Sequence, residues 1–255
     1  MTDNNFWEYL KEGFLSLIYP LNCENCNRPI RESKGYSICD DCLQQIKFIS
    51  FPYCYQCGKP FSPEVDFEIK ALCADCLYKE HHYYFVRSLA YYEGVLRKCI
   101  HLLKFKKQVK LVKPLASLMI NYLSRDEQIN IKEIELIIPV PLFKDDYVKR
   151  GFNQSGLLAK HIADYFSIPF SENLLIKIRA NLSQVGLSKI ERKNNVKNVY
   201  AINSSILQKQ YNNKITSLLL IDDIFTTGAS IEACCKELKK IGIKRLYVFT
   251  LARGV

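Results

Sequence analysis

The sequence predicts an α/β protein: a mostly parallel sheet with helices between its strands, preceded by a small zinc-ribbon domain with four-cysteine sites. Three observations lead there. An apolar run closes on two carboxylates and a Thr/Gly/Ser turn at residues 218–230, LLLIDDIFTTGAS; strand-like and helix-like segments alternate after residue 80; and four Cys-x-x-Cys pairs crowd residues 23–76. The expected division is 1–80 for an N-terminal helix and double ribbon, and 81–255 for the α/β domain.

The 255 residues suffice for a substantial core. Lysine and arginine total 36 against 26 acids, a formal charge of +10, which favours an anionic partner without identifying it. No apolar run approaches the roughly 20 residues of a bilayer span. The N-terminus carries acids early and lacks a basic stretch before its apolar residues, so no signal peptide is expected and the protein is read as cytoplasmic.

Phe6, Trp7, Leu10, Phe14, Leu17 and Ile18 fall near one helical face, and Pro20 stops that helix. Next come Cys23/Cys26, Cys39/Cys42, Cys54/Cys57 and Cys73/Cys76. Each pair can hold one tetrahedral ion through a tight turn, and two pairs close a site to solvent, so two structural zinc ions are expected. Pairing in chain order is preferred, although spacing leaves a crossed arrangement open. With two such sites the formal charge drops to about +6. The three other cysteines, Cys99, Cys234 and Cys235, read as small core residues.

Residues 83–92, YYFVRSLAYY, are aromatic and β-branched and predict the strand that opens the second domain. Residues 97–113 then hold seven cations and no acid: Arg97, Lys98, Lys104, Lys106, Lys107, Lys110 and Lys113. Such a run is either a solvated face or an anion-binding surface. Lys104, Lys106, Lys107 and Lys110 are the candidate nucleic-acid contacts, with Phe105, Tyr91 and Tyr92 available to stack bases.

Residues 135–142, ELIIPVPL, predict a strand ending in a loop with Pro139, Val140 and Pro141, and KRGFNQSGLLAKHIADYF after it has helical spacing. Asn153 there is a helix cap or a site residue. Residues 174–178 suggest a short strand; the polar, basic stretch from Arg179 through Gln184, Arg192, Lys193 and Asn195 suggests a lid. In the central run, Asp222 and Asp223 at the strand's carboxyl end can accept hydrogen bonds from vicinal hydroxyls. Thr226, Thr227, Gly228, Ala229 and Ser230 offer hydroxyls and backbone N–H groups to a phosphate where a helix begins. A helix over 231–241, Gly242 as its C-cap and a strand over 245–251 complete the chain.

The central run resembles the phosphoribosyl pyrophosphate (PRPP) signature of type I phosphoribosyltransferases. By that resemblance Asp222 and Asp223 hold the ribose 2′ and 3′ hydroxyls, Thr226 to Ser230 hold the 5′-phosphate, and Mg2+ accompanies the ligand. Pro139, Val140, Pro141 and Arg150, with Arg179 and Arg192 from the lid, then face the pyrophosphate. The cysteine knuckles, LKFKKQ at 103–108, PVPL and KRGFNQ, the lid and the PRPP run together resemble the ComF/ComFC competence family, in order and over nearly the whole chain. The resemblance implies a double zinc ribbon on a type I phosphoribosyltransferase domain. It also implies a role in natural transformation: handling incoming single-stranded DNA beside a helicase-like partner, free in the cytoplasm or peripheral at the inner face of the membrane. Two alternatives remain: an active phosphoribosyltransferase of unknown acceptor, or a PRPP-sensing regulator. No catalytic nucleophile pocket is legible, and with Met1-Thr2 at its start the chain is not expected to carry an amidotransferase half.

Overall fold

The computed structural model describes residues 22–30, 37–62, 70–179, 199–211 and 214–254. The expected helix over 6–18 lies outside them, as do Gln184, Arg192, Lys193 and Asn195 of the expected lid.

Two short helices, α1 (Asp40–Gln44) and α2 (Ala74–Leu77), each begin on a knuckle cysteine. The sheet then forms from β1 (Phe85–Tyr91), β2 (Leu136–Pro139), β5 (Ser217–Phe225) and β6 (Arg245–Arg253) in the order β1-β6-β5-β2, with every pairing parallel. Its helices are α3 (Gly94–Lys106), α4 (Val112–Leu123), α5 (Lys144–Arg150), α6 (Gln154–Phe166) and α7 (Ala229–Lys239). This is the α/β, type I phosphoribosyltransferase architecture expected from the sequence. A separate antiparallel pair, β3 (Leu175–Lys177) with β4 (Tyr200–Ile202), flanks it, so the 174–178 strand does not join the main sheet.

Side chains of a strand alternate between faces, and this sheet is covered on both. Leu219 and Ile221 of β5 share a core with α3, α4 and α6; Leu218 and Leu220 share the opposite core with α7 and the β3–β4 pair. That explains why β5 reads as a continuous apolar run rather than an alternating one. The helix expected after PVPL is two helices: Gly151 takes a left-handed φ of 87° at the end of α5, and Asn153 caps α6 by accepting from Ser155 N–H at 3.1 Å. A proline-bearing helix, α4, was not foreseen; Pro114 sits in its first turn, where a missing N–H costs nothing.

The ribbons dock on the outer edge of β1. Ile49 N–H donates to Leu89 O at 3.0 Å, Tyr91 N–H to Lys47 O at 3.0 Å, and Val86 N–H to Gln56 O at 2.8 Å, so the edge strand's polar groups are paired. Gly58 turns the third knuckle at φ 70°, and a Cβ there would meet Val86 O at 2.7 Å. Arg87 fastens the joint: 1% exposed, it donates to Gln128 Oε1 at 2.8 Å, Tyr55 O at 2.9 Å and Val86 O at 2.7 Å, between the rings of Tyr53 and Phe85. Arg87→Ala leaves several buried acceptors without a donor and opens a cavity. We expect a loss of about 3–5 kcal/mol in denaturant unfolding, with Arg87→Lys recovering less than half because an ammonium cannot span the same fork.

Candidate functional site

The zinc centres follow from two local turns. Cys23, Cys26, Cys39 and Cys42 converge, and so do Cys54, Cys57, Cys73 and Cys76, each set with its sulfurs within 4.8 Å of one another. Sγ separations are 3.7 Å for Cys23–Cys42 and for Cys26–Cys39, and 3.8 Å for Cys57–Cys73. A tetrahedral ion with Zn–S bonds of about 2.3 Å sets sulfurs about 3.8 Å apart, so both sets fit zinc. The pairing runs in chain order, first knuckle with second and third with fourth. N–H groups point at the sulfurs as thiolates require: Cys39 N to Cys23 Sγ and Cys73 N to Cys54 Sγ, both 3.3 Å, and Asn25 Nδ2 to Cys42 Sγ at 3.1 Å. Cys99, Cys234 and Cys235 are buried in the two cores.

All four strands of the sheet end at one edge. There β5 delivers Asp222 and Asp223, and the chain turns through exposed Thr226 and Thr227 and partly exposed Gly228 into α7, where Ala229 is exposed and Ser230 partly so. Gly228 stands at the N-cap with φ 74° and no side-chain cap, and a Cβ on it would strike the Phe225 ring at 2.6 Å. The helix start thus keeps its dipole and N–H groups turned outward, apart from Ala229 N–H, 3.4 Å from Thr227 Oγ1.

Asp222 accepts from Ser155 Oγ at 2.8 Å and from Asp223 N–H at 2.9 Å. Burial, and then the charge of Asp223, push its carboxyl up to about 7. Asp223 is 4% exposed, and its Oδ2 lies 2.5 Å from Lys104 Nζ, an ion pair without hydrogen-bond geometry. The loop after β2 lies alongside: Pro139, Val140 and Pro141 are buried, Val140 N–H donates to Ile221 O at 2.9 Å, and Asn153 Nδ2 holds Val140 O at 3.0 Å. Asn153 is therefore both cap and loop clamp. Arg150 donates to Gln154 Oε1 and lies 5.8 Å over the Phe105 ring. Arg179 is exposed.

The lysines read from the basic run separate. Lys104 is turned into the site against Asp223, and Lys110 pairs with Glu24; Lys106 and Lys107 remain exposed beside Phe105, itself 62% exposed. Sequence reasoning missed Ser155, the Lys104 partnership and Lys177, whose ammonium is disfavoured by burial near Asp146 and Asp222. Ser155, two residues past a capping asparagine, carried no local signal.

Residues 14–77 match the double zinc ribbon domain family. Over 239 residues the chain is 30% identical to competence protein F of Haemophilus influenzae, covering 92% of this chain and 98% of the relative. The chain belongs to the competence protein F family. Within that family it is also 25% identical over 238 residues to the DNA utilization protein YhgH of Escherichia coli K12, covering 93% and 99% of the two chains. Competence protein ComFC of Bacillus subtilis is 25% identical over 230 residues, covering 85% and 84%. These matches span the ribbons and the sheet together. Among the described residues no helix is long and apolar enough to cross a membrane.

Proposed function

We propose that the protein acts in DNA uptake, binding PRPP with Mg2+ at the β5–α7 loop and single-stranded DNA on its basic surface. The observation that carries the first part is the placement of Asp222 and Asp223 at the carboxyl end of β5, one turn before the Gly228-capped start of α7. Two carboxylates accept from two ribose hydroxyls while the loop's N–H groups and hydroxyls receive the 5′-phosphate, the usual ligand position outside the strands of an α/β sheet. Lys104 neutralises Asp223 in the absence of ligand, and Ser155 orients Asp222. The Pro139–Pro141 loop and Arg150 face the pyrophosphate, whose Mg2+ keeps several waters.

The DNA reading draws on the names of the relatives, competence and DNA utilization proteins, and on exposed Lys106, Lys107 and Phe105. The lysines track the phosphates while Phe105 stacks a base. A helicase-like partner at the cytoplasmic face would supply the strand.

The test is titration of zinc-loaded protein with PRPP and Mg2+, and separately with an oligothymidylate, on wild type and on Asp222→Ala/Asp223→Ala. The expected result is a loss of PRPP binding of at least a hundredfold in the variant, with salt-sensitive oligonucleotide binding retained. Wild type that takes up no PRPP would remove the phosphoribosyl reading and leave a nucleic-acid scaffold.

A further inference from the structure

An open cleft of about 1030 Å³ lies between the second zinc ribbon and the carboxyl ends of β1, β5 and β6. Its floor includes Thr226 and Thr227 of the phosphate loop; its far wall carries Lys59, Tyr78 and Lys79 of the ribbon; Tyr91, at the end of β1, completes it. The sites described above border it through Thr226, Thr227, Cys57 and Cys76 and leave its interior unassigned. The volume reaches the upper end of small-molecule pockets, roughly 300–1000 Å³, so a ribose 5-phosphate on the loop would leave most of it vacant.

From this geometry we infer that the cleft is the track of a single-stranded nucleic acid, entered from the phosphate loop. The inference rests on the DNA-binding reading above and gives that strand a path. A phosphate held by Thr226 and Thr227 in a polynucleotide is a diester, and the nucleotide on its 5′ side must continue away from the loop. The cleft adjoins the loop and is large enough to take it. Its walls suit that occupant. Lys59 and Lys79 are exposed, and Asp75 is the acid facing them. Tyr78 is 91% exposed, so its ring face is open to a planar partner. The zinc-site wall presents a cation rather than bare sulfur, because Arg253 Nη2 lies 3.8 Å from Cys57 Sγ while Nη1 donates to Cys57 O at 2.7 Å. Aromatic faces and cations along one groove are what sequence-tolerant single-strand binding uses.

The loop is then shared, so PRPP and DNA exclude each other at Thr226 and Thr227.

The experiment uses full-length, zinc-loaded protein and a 3′-labelled oligothymidylate of about 12 nucleotides, within the usual range of such sites. Tyr78→Ala and Lys59→Glu/Lys79→Glu alter exposed side chains, so folding is preserved. Each should weaken oligonucleotide binding about tenfold or more, the charge variant should flatten the salt dependence, and PRPP affinity should stay at the wild-type value. Saturating PRPP should weaken oligonucleotide binding to wild type. Variants that bind the oligonucleotide like wild type would overturn the track while leaving the DNA-binding reading intact. A wild type that binds no oligonucleotide would end both. Polyglutamate captured as tightly as the oligonucleotide, with no response to Tyr78→Ala, would show a charge-selective surface for acidic peptides and overturn the inference as well.

Discussion

Replacing Cys54 by serine is expected to lower the zinc content from two ions per chain to one and to release the second ribbon while the parallel sheet stays folded. The reason lies in where each ribbon's apolar contacts go. Cys23 and Cys42 of the first site share one hydrophobic cluster with Ile38, Ile46, Phe85 and Leu96, so that ribbon is continuous with the main core. The second site's buried cluster consists of its own four cysteines, with Phe61 and Leu72 packed against it. Its hydrogen bonds to β1, Arg87 and Arg253 hold one side of the ribbon to the sheet, but among the described residues no apolar core beyond that cluster closes the turn without the metal. Structural zinc contributes on the order of 10 kcal/mol in isolated zinc-binding peptides, and losing one of four thiolates forfeits most of that. The substitution should therefore open residues 52–77 to proteolysis and rapid hydrogen exchange, whereas Cys23→Ser should raise exchange across residues 37–46 less, because apolar packing remains. Equal local unfolding in the two variants would contradict this division of labour.

Release of the second ribbon also has a reach into the ligand site. His81 Nε2 lies 3.5 Å from Cys76 Sγ, and its Nδ1 lies 3.1 Å from Glu232 Oε2; His82 N–H donates to Glu232 Oε1 at 3.1 Å. Glu232 is in the first turn of α7, the helix whose start is the proposed phosphate loop. His81 thus bridges a cysteine of the second four-cysteine site and a glutamate in the first turn of α7, tying the ribbon to that helix.

How far the sequence could be read follows the range of the interactions involved. The β5 run was legible because strand, carboxylates, Gly228 and helix start are consecutive, each restricting the backbone of the next. The knuckles were legible because two cysteines on one turn have few other uses. Ser155 on Asp222, Lys104 on Asp223 and Arg253 on Cys57 are pairings across 67, 119 and 196 residues, and each looks locally like an ordinary polar side chain. Lys104 shows the consequence: composition grouped it with six neighbouring cations, but helix periodicity turns it away from Lys106, the helix ends in a left-handed cap at Lys107, and Lys104 points into the site. The break at Gly151 was hidden for a related reason. Apolar spacing continued across it, while the positive φ of Gly151 and the extended backbone of Asn153 interrupt the helix.

Asp222→Asn should make the protein more stable at pH 8 and weaken PRPP binding at least tenfold, two opposite changes from one atom. In the fold the Asp222 carboxyl is raised to about 7 from an ordinary value of 3.8, chiefly by burial and next by Asp223, against the lowering influence of Ser155 and Lys104. Below pH 4 both the folded and unfolded forms carry the proton, and the full stability is present. Between pH 4 and 7 the unfolded chain releases a proton that the native state keeps, so stability falls as pH rises and the contribution is lost above about 7. Asparagine cannot ionise. The variant should therefore match wild type near pH 4 and exceed it by about 4 kcal/mol at pH 8, read as a difference in denaturation midpoints. Ligand binding runs the other way, because a ribose hydroxyl donates best to a carboxylate. Wild-type affinity for PRPP should rise as Asp222 ionises, while the variant, offering an amide, should bind at least tenfold more weakly at pH 8. The ligand's own phosphate titration affects both proteins alike, so the ratio of their affinities isolates Asp222. A ratio that stays flat from pH 5 to 8 would mean that this carboxylate does not read the ribose. The energetic cost of holding Asp222 ionised beside Asp223 is the kind of local strain that a binding site retains and a purely structural strand would shed.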